Sequence, residues 1–259
     1  MDKNEIYLID GSAYLYRAFH AIKGLKTSRG HPTNATFGFT RILLKLLNDK
    51  NPEYVGMFFD AKGPTFRHEI YKEYKANRPP MDEDLATQIP DIKEVVCAMN
   101  IPIVEKQGME ADDLVGTFAK MAVEKGFKVI MVTGDKDFIQ LVNEDCIIWD
   151  PMKDVIIDLE SVRTEYGLLP EQFVDMLGFA GDSSDNIPGV PGVGPKTAMK
   201  LVADHGSMEG VYENLDALSK KKKLHENLIA HKDQAFLSRD LAAINRSVEV
   251  CGEVEDFKT

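Results

Sequence analysis

Nine acidic residues stand where they could do chemistry together. Asp10 closes the apolar run Ile6-Tyr7-Leu8-Ile9, and Asp60 closes Val55-Gly56-Met57-Phe58-Phe59. Asp135 follows Val129-Ile130-Met131-Val132-Thr133-Gly134. The other six are Glu110, Asp112 and Asp113 in Glu110-Ala111-Asp112-Asp113, Asp137 two residues past Asp135, and Asp182 and Asp185 in Asp182-Ser183-Ser184-Asp185. Ligands of an open α/β sheet bind outside the carboxyl ends of its strands, so acids at three strand ends should converge. Nine like charges in one cleft repel, and divalent cations are the simplest way to keep them ionised. Each acid alone also fits a plainer role. Asp112 and Asp113 could cap a helix, Asp182 and Asp185 a turn, and Asp10 and Asp60 could be surface acids. The grouping favours the joint reading, because every plain role would have to hold at once.

Two further patterns suit a phosphate-bearing polymer. Lys62, Arg67, Lys72, Lys75 and Arg78 are interleaved with Phe66, Tyr71 and Tyr74, which suits stacking on bases along a charged strand. The run Gly189-Val190-Pro191-Gly192-Val193-Gly194-Pro195-Lys196-Thr197 is not a P-loop, because Pro195 separates Gly194 from Lys196 and no strand precedes it. It reads as a glycine-rich hairpin between two helices. Gly189, Gly192 and Gly194 let backbone amides approach a ligand, and Lys196 and Lys200 stand beside the helix start. Such a clamp holds a backbone phosphate without reading sequence. The second basic run, Lys220-Lys221-Lys222-Lys223, reads by itself as a solvated surface. The six histidines have no metal-ligand spacing.

The elements that must position these groups alternate. Strands are expected at 6–10, 54–60, 101–105 and 128–133, with a hairpin at 146–150 and 154–158. Helices are expected at 13–22, at 34–48 with Phe37, Ile42, Leu43, Leu46 and Leu47 on one face, at 83–99 with Pro90 interrupting, from Ala111 to Gly126, and briefly at 136–143. The alternation predicts an α/β fold with a mostly parallel central sheet flanked by helices. Past residue 160 helices dominate, at 160–166, 171–180, 195–205, 208–214 and 224–244, with one weak strand at 248–250. A division into 1–165 and 166–259 follows. No Gly/Ser linker joins the two parts, so the helical part should pack on the sheet.

Composition sets outer limits. A chain of 259 residues with 44% hydrophobic and 28% charged residues is ordinary for a globular protein. No run reaches the ~18 apolar residues of a membrane span. Met1-Asp2-Lys3-Asn4-Glu5 leads straight into the first strand with no leader-like segment, and Cys97, Cys146 and Cys251 lack zinc or disulfide spacing, so buried reduced thiols in a cytoplasmic protein are expected. Setting aside the nine grouped acids reduces the net charge of −11 to −2, so the overall charge does not exclude a nucleic-acid partner.

Seven motifs in order resemble the 5′-nuclease superfamily of flap endonucleases and phage 5′-exonucleases, and most closely the N-terminal 5′→3′ exonuclease domain of bacterial DNA polymerase I. They are Leu8-Ile9-Asp10-Gly11-Ser12, Phe59-Asp60, Phe66-Arg67, Tyr74-Lys75-Ala76-Asn77-Arg78-Pro79, Glu110-Ala111-Asp112-Asp113, Thr133-Gly134-Asp135-Lys136-Asp137, and Gly181-Asp182-Ser183-Ser184-Asp185 running on to Gly194. The resemblance implies a PIN-like core, a helical arch at about 66–95, and a helix–three-turn–helix DNA-binding element at about 171–205. It implies two Mg²⁺ or Mn²⁺ held by Asp10, Asp60, Glu110, Asp112, Asp113, Asp135, Asp137, Asp182 and Asp185, some through water. It also implies K⁺ on backbone carbonyls near Val190 and Val193. Two ions about 4 Å apart can grip one phosphodiester, activating the attacking water and stabilising the departing 3′-oxygen. Lys75 and Arg78 would offset charge on the phosphate, with Asp10 and Asp60 at the centre of the metal site; Arg67 and Tyr74 would contact DNA, Tyr74 by stacking on a base. The implied protein is a monomeric enzyme of the bacterial cytosol or nucleoid. It would cut DNA at a 5′ flap, overhang or nick, and at RNA–DNA primer junctions, in replication and repair.

Two other readings stay open from the residues themselves. A different metal-dependent ribonuclease would explain the acids but not the hairpin. A non-catalytic DNA-binding scaffold would explain the hairpin but not nine acids.

Overall fold

The computed structural model describes residues 4–259. Residues 1–3, which begin the expected lead-in to the first strand, lie outside the described residues. β1 (Glu5–Asp10) runs through the middle of a six-stranded sheet. α1 (Gly11–Ala21) and α2 (Asn34–Lys50) lead to β2 (Tyr54–Phe58), parallel to β1. α3 (Phe66–Ile70), α4 (Glu83–Ala86) and α5 (Ile89–Ala98) precede the short β3 (Ile103–Val104), which extends the sheet beyond β2. α6 (Ala111–Glu124) returns the chain to the other side of β1. There β4 (Lys128–Val132) and β5 (Cys146–Asp150) pair in parallel, and β6 (Val155–Ile157) closes that edge antiparallel. The order is β3-β2-β1-β4-β5-β6. It reverses between β1 and β4, where an open α/β sheet leaves a crevice at its carboxyl ends. Ile6, Leu8 and Phe58 pack with Leu114 and Phe118 of α6, while Tyr7, Ile9 and Val55 pack with Leu15, Leu43 and Val96 on the opposite face. Both faces are covered, which is why these strands read as continuous apolar runs.

The rest is helical: α7 (Leu159–Tyr166), α8 (Phe173–Ala180), α9 (Pro195–His205), α10 (Met208–Glu213), α11 (Lys222–Ala230) and α12 (Lys232–Ala242). One hydrophobic cluster runs from Phe118 and Met131 to Phe173, Phe179, Leu201 and Ala235, so the helical part packs on the sheet as expected. The last residues fold back onto β2. Phe257 lies 5.8 Å from Phe58 and 5.0 Å from Phe118, ring centre to ring centre, and the Thr259 amide donates to the Glu53 carbonyl at 2.9 Å. Among the described residues no helix is long and apolar enough to cross a membrane.

Several local expectations change. The helix expected at 83–99 with Pro90 interrupting is divided as expected, into α4 and α5 with Pro90 in the first turn of α5, and between them Gln88 keeps a helical conformation (φ −91°, ψ −13°) and serves α2. Its buried side chain accepts from the amides of Ala35 and Thr36 at 2.9 and 3.1 Å, capping a helix whose own N-cap residue makes no side-chain capping bond. The helix expected at 224–244 breaks at His231 (ψ 27°), with no Gly or Pro to announce it. No strand forms at 248–250. That segment bonds instead to α6, Val248 donating to the Thr117 hydroxyl at 3.1 Å. Phe37 lies on the exposed side of α2. Of the three free cysteines only Cys146 is buried, its thiol pushed up to about 12 by burial, whereas Cys97 and Cys251 are exposed.

The segment expected to arch over the site divides. Its second half lies on α2, with Ile92 and Val96 in the core, while Arg67 is buried against Glu110 and Asp113 and residues 71–78 cross toward Glu110 and Asp185. There the Lys75 amide donates to the Asp185 carbonyl at 2.9 Å, Asn77 Nδ2 to the Ser183 carbonyl at 2.6 Å, and Asn186 Nδ2 to the Glu73 carbonyl at 2.5 Å.

Candidate metal centre and nucleic-acid interface

Several of the acids are held by backbone amides that they also cap. Asp10 is the N-cap of α1: Oδ1 accepts from the Ala13 amide at 3.0 Å, and Oδ2 accepts from the Thr133 hydroxyl at 2.9 Å. Asp60 accepts from the Ala111 amide at 2.8 Å, at the start of α6, and its own amide donates to Ser12 Oγ at 2.8 Å. Asp135 caps the 3₁₀ turn Lys136–Leu141 through the Asp137 amide at 3.0 Å. Asp182 Oδ1 accepts from the Ser184 amide at 2.7 Å. The capping role and a ligand role therefore coexist, since a cap occupies only part of an ionised carboxylate's acceptor capacity.

The acids crowd one another electrostatically. Burial pushes Asp10 up to about 7, with Asp60 and Asp135 adding to the rise against the Ala13 and Thr133 bonds. Burial pushes Asp137 up to about 8, helped by Asp135, Asp182 and Asp185. Asp135 has an exposed edge, yet desolvation and the charges of Asp185 and Asp182 raise it too. Asp112 is raised well above the carboxylate range by burial, with Asp113 and Glu110 adding to the rise against Arg67's opposing pull. A cation would relieve all of these at once. Among the described residues no three acid, His or Cys side chains close into a cage for one ion. An all-oxygen donor set that reaches the ion partly through waters is the mode Mg²⁺ prefers, so the residues fit such an ion.

Lys75 and Arg78 stand among these acids. Lys75 Nζ bonds Glu110 Oε1 at 2.6 Å and lies 3.6 Å from Asp185. Burial opposes the Lys75 charge, but Glu110 and Asp185 outweigh it and hold the ammonium above its ordinary pKa. Arg78 pairs with Asp185 and is half exposed. Lys75 adopts φ +55°, a left-handed conformation that a side chain enters only when its surroundings enforce it.

Three assignments are corrected. Arg67 is 1% exposed, so it cannot reach DNA. Its guanidinium holds Asp113 with two bonds of 2.8 Å, Glu110 at 3.0 Å, and the Leu241 and Ala243 carbonyls at 2.9 Å each. Asp113, 0% exposed, spends both oxygens on Arg67 and also accepts from the Asn245 amide at 2.8 Å, which removes it from the metal-facing set. Tyr74 is 3% exposed and packs with Ile187 and Leu241. Its hydroxyl lies 2.9 Å from Glu110 and 3.1 Å from Asp185 and donates its one hydrogen to either, so it orients acids and offers no face to a base. A basic-aromatic stretch looks the same in sequence whether it faces solvent or the core.

Sequence reasoning missed Thr133, fully buried, whose hydroxyl joins Asp10 to the Asp135 amide at 3.1 Å. It also missed Arg17, paired with Asp150 at 3.0 and 3.2 Å on the rim of a cleft of about 720 Å³ beside Asp135, Asp137 and Asp182. The cleft's floor is Phe173, Met176 and Met199. Thr133 lay inside a quoted motif, but nothing in its type marked it as the link.

The hairpin follows α8. A Cβ on Gly189 (φ +58°) would meet the Gly181 nitrogen at 2.4 Å, so two backbones cross where only glycine fits. Val190 and Val193 are buried, and Gly192 and Gly194 are exposed at the tip. Gly194 is the N-cap of α9, with Lys196 and Lys200 exposed on its first turns. α11 and α12 brace the hairpin: Ser238 Oγ accepts from the Gly189 amide at 3.0 Å, Gln234 Nε2 donates to the Gly189 carbonyl at 2.5 Å, and Asn227 Nδ2 donates to the Pro191 carbonyl at 2.6 Å.

A resolvase-like α/β domain followed by a SAM-like helical domain is the class this architecture defines. The family described as 5′-3′ exonuclease, N-terminal resolvase-like domain, matches residues 5–167, and 5′-3′ exonuclease, C-terminal SAM fold, matches residues 168–259. The chain belongs to this 5′-3′ exonuclease family. A 5′-3′ exonuclease of Aquifex aeolicus is 38% identical over 253 residues, covering 98% of this chain and 86% of that protein. The DNA polymerase I of Caldicellulosiruptor bescii is 40% identical over 261 residues, which are 98% of this chain but 30% of that one. The chain thus spans about 30% of the length of the polymerase relatives it matches. A structure of T5 5′-exonuclease with bound zinc has the same fold, with a TM-score of 0.78 at 21% identity over 93% of this chain and 90% of that one. A bacteriophage T5 flap endonuclease, a single-substitution variant in a complex with DNA and metal ions, has a TM-score of 0.77 at 21% identity over 93% of this chain and 90% of that one.

Proposed function

We propose that this chain is a divalent-metal-dependent 5′ nuclease that hydrolyses a phosphodiester at the 5′ end or 5′-flap junction of DNA, serving primer and flap removal in replication and repair. The observation that carries this reading is the gathering of carboxylates at the carboxyl ends of β1, β2 and β4, those after β1 and β4 pushed up by burial and by one another, with Lys75 among them and a helical hairpin alongside. The α/β part to about residue 165 carries the chemistry, and the helical part from 166 grips the duplex. Asp10, Asp60, Asp112, Asp135, Asp137, Asp182 and Asp185, with Glu110 at the edge, hold two Mg²⁺ or Mn²⁺. The ions supply a nucleophilic water near neutral pH and charge compensation at the leaving oxygen. Lys75 and Arg78 exchange their carboxylate partners for the phosphate and stabilise its growing charge. Tyr74 and Thr133 keep the acids aligned. Gly192, Gly194, Lys196 and Lys200 hold a backbone phosphate, and Val190 and Val193 offer carbonyls to K⁺. The protein works in the cytosol as a monomer, on 5′ flaps, overhangs, nicks and RNA–DNA junctions.

One assay separates this reading from its rivals. End-labelled 5′-flap DNA, single-stranded RNA and blunt duplex are each incubated with the chain and Mg²⁺. Metal-dependent cutting near the flap junction is expected, and Asp135→Asn should slow it at least about a hundredfold while duplex binding persists. Preferred cutting of single-stranded RNA, or binding with no cutting under any divalent ion, would overturn it.

A further inference from the structure

The four consecutive lysines 220–223 serve no purpose in the fold. All four side chains are exposed, and among the described residues their one ion pair is Lys222 to Glu226 at 4.0 Å, too long and too exposed to stabilise. They sit badly for the helix they begin. Lys221 is the N-cap of α11, Lys222 and Lys223 are its first residues, and its first turn holds no acid, so cations crowd the end where the peptide dipoles are already positive. A surface run that works against its own helix without gain in packing points to an external partner.

Its position says which partner. Asn227 donates to the Pro191 carbonyl at 2.6 Å, and a Cβ on Gly192 would lie 3.3 Å from the same Asn227 Nδ2. α11 is therefore fixed against the hairpin tip. Lys223 lies four residues before Asn227, one turn along the same face and roughly 6 Å away. Lys196 and Lys200 are exposed at the start of α9, directly after the hairpin. The hairpin tip is thus flanked in sequence by the cations of α9 and held in space against the helix that the lysine run begins.

We propose that Lys220, Lys221, Lys222 and Lys223 are a second phosphate-binding element that extends the hairpin's grip along a nucleic-acid duplex, contacting backbone phosphates beyond those at the hairpin tip. This rests on the reading of the chain as a DNA-binding nuclease. Phosphates spaced along a helix suit a row of flexible ammonium groups, each a point charge with no demand for base identity. The element adds affinity and length of footprint without touching the reacting atoms.

The test compares the unaltered chain with K220Q/K221Q/K222Q/K223Q on flapped duplexes whose arms run from about 6 to about 20 base pairs, by fluorescence anisotropy over a salt series. Each lost phosphate contact lowers the slope of log affinity against log salt by about 0.9, so a drop of at least about 2 is expected on long arms. On arms too short to reach the hairpin the two proteins should bind alike, because the duplex then ends before α11 as well. Single-turnover cleavage at saturating protein should be unchanged. An unchanged slope on long arms, or an equal penalty at every arm length, would overturn the inference. Failure of the unaltered chain to bind any flapped duplex would instead strike the parent reading.

Discussion

Asp10 shows how one side chain serves fold and chemistry together. It caps α1, accepts from Thr133, and still has its pKa pushed up to about 7 by burial and its acidic neighbours, while Asp137 reaches about 8. An acid whose folded pKa exceeds its unfolded value of about 4 favours folding only while protonated. Between about pH 4 and pH 7 to 8 the folded chain holds protons that the unfolded chain has released, so the contribution of these two acids to stability falls as pH rises through that window. Divalent cations must displace those protons. Mg²⁺ affinity measured by calorimetry should therefore rise from about pH 6 to about pH 8, and chelation should lower the thermal midpoint more at pH 8 than at pH 6. Asp137→Asn should flatten both trends. Thr133→Val removes the bond that aligns Asp10 and should cost about 10- to 100-fold in activity or metal affinity, with the fold intact by circular dichroism.

At the scale of elements, the decisive joint is the buried guanidinium of Arg67. It ties α3 to the first turn of α6 and to the carbonyls that end α12. Removing one partner of a buried ion pair leaves the other charge unpaired and typically costs about 3–5 kcal/mol. Arg67→Ala should lose about that much in urea unfolding, and Arg67→Lys should not restore it, since one ammonium cannot reproduce the fork. The backbone crossing at Gly189 gives a sharper test of the hairpin. Gly189→Ala places a methyl 2.4 Å from the Gly181 nitrogen at positive φ, so it should destabilise the chain by more than about 1 kcal/mol and weaken duplex binding, because the tip must move.

Across the whole molecule, the chain is tied to its sheet twice. It leaves the α/β part after β6 and comes back at the end, where Phe257 fills the space above Gly56, 2.9 Å from where a Cβ would stand. Phe257→Ala empties a site that is 2% exposed, and a loss of about 3–5 kcal/mol by chemical denaturation is the expected outcome. The loss should appear in one cooperative transition, since a single hydrophobic cluster joins sheet, α8, α9 and α12.

The amino-acid order by itself determined the parallel sheet, the placing of Asp10, Asp60 and Asp135 at its strand ends, and a glycine-rich turn between two helices, though Gly189, expected to face a ligand, is buried against Gly181 with its amide and carbonyl bonded to Ser238 and Gln234. These are local: strand runs, turn glycines and chain direction at a strand end are each set by neighbours in sequence. Only the tertiary structure decided which charges face the cleft. Arg67, Tyr74 and Asp113 carry the same side chains as their exposed counterparts, and what buries them is contact with residues more than thirty positions away. The capping of α2 by Gln88 and the docking of residues 71–78 on 183–186 have the same cause. Long-range packing outweighs local propensity wherever burial offers more free energy than a few tenths of a kcal/mol per residue.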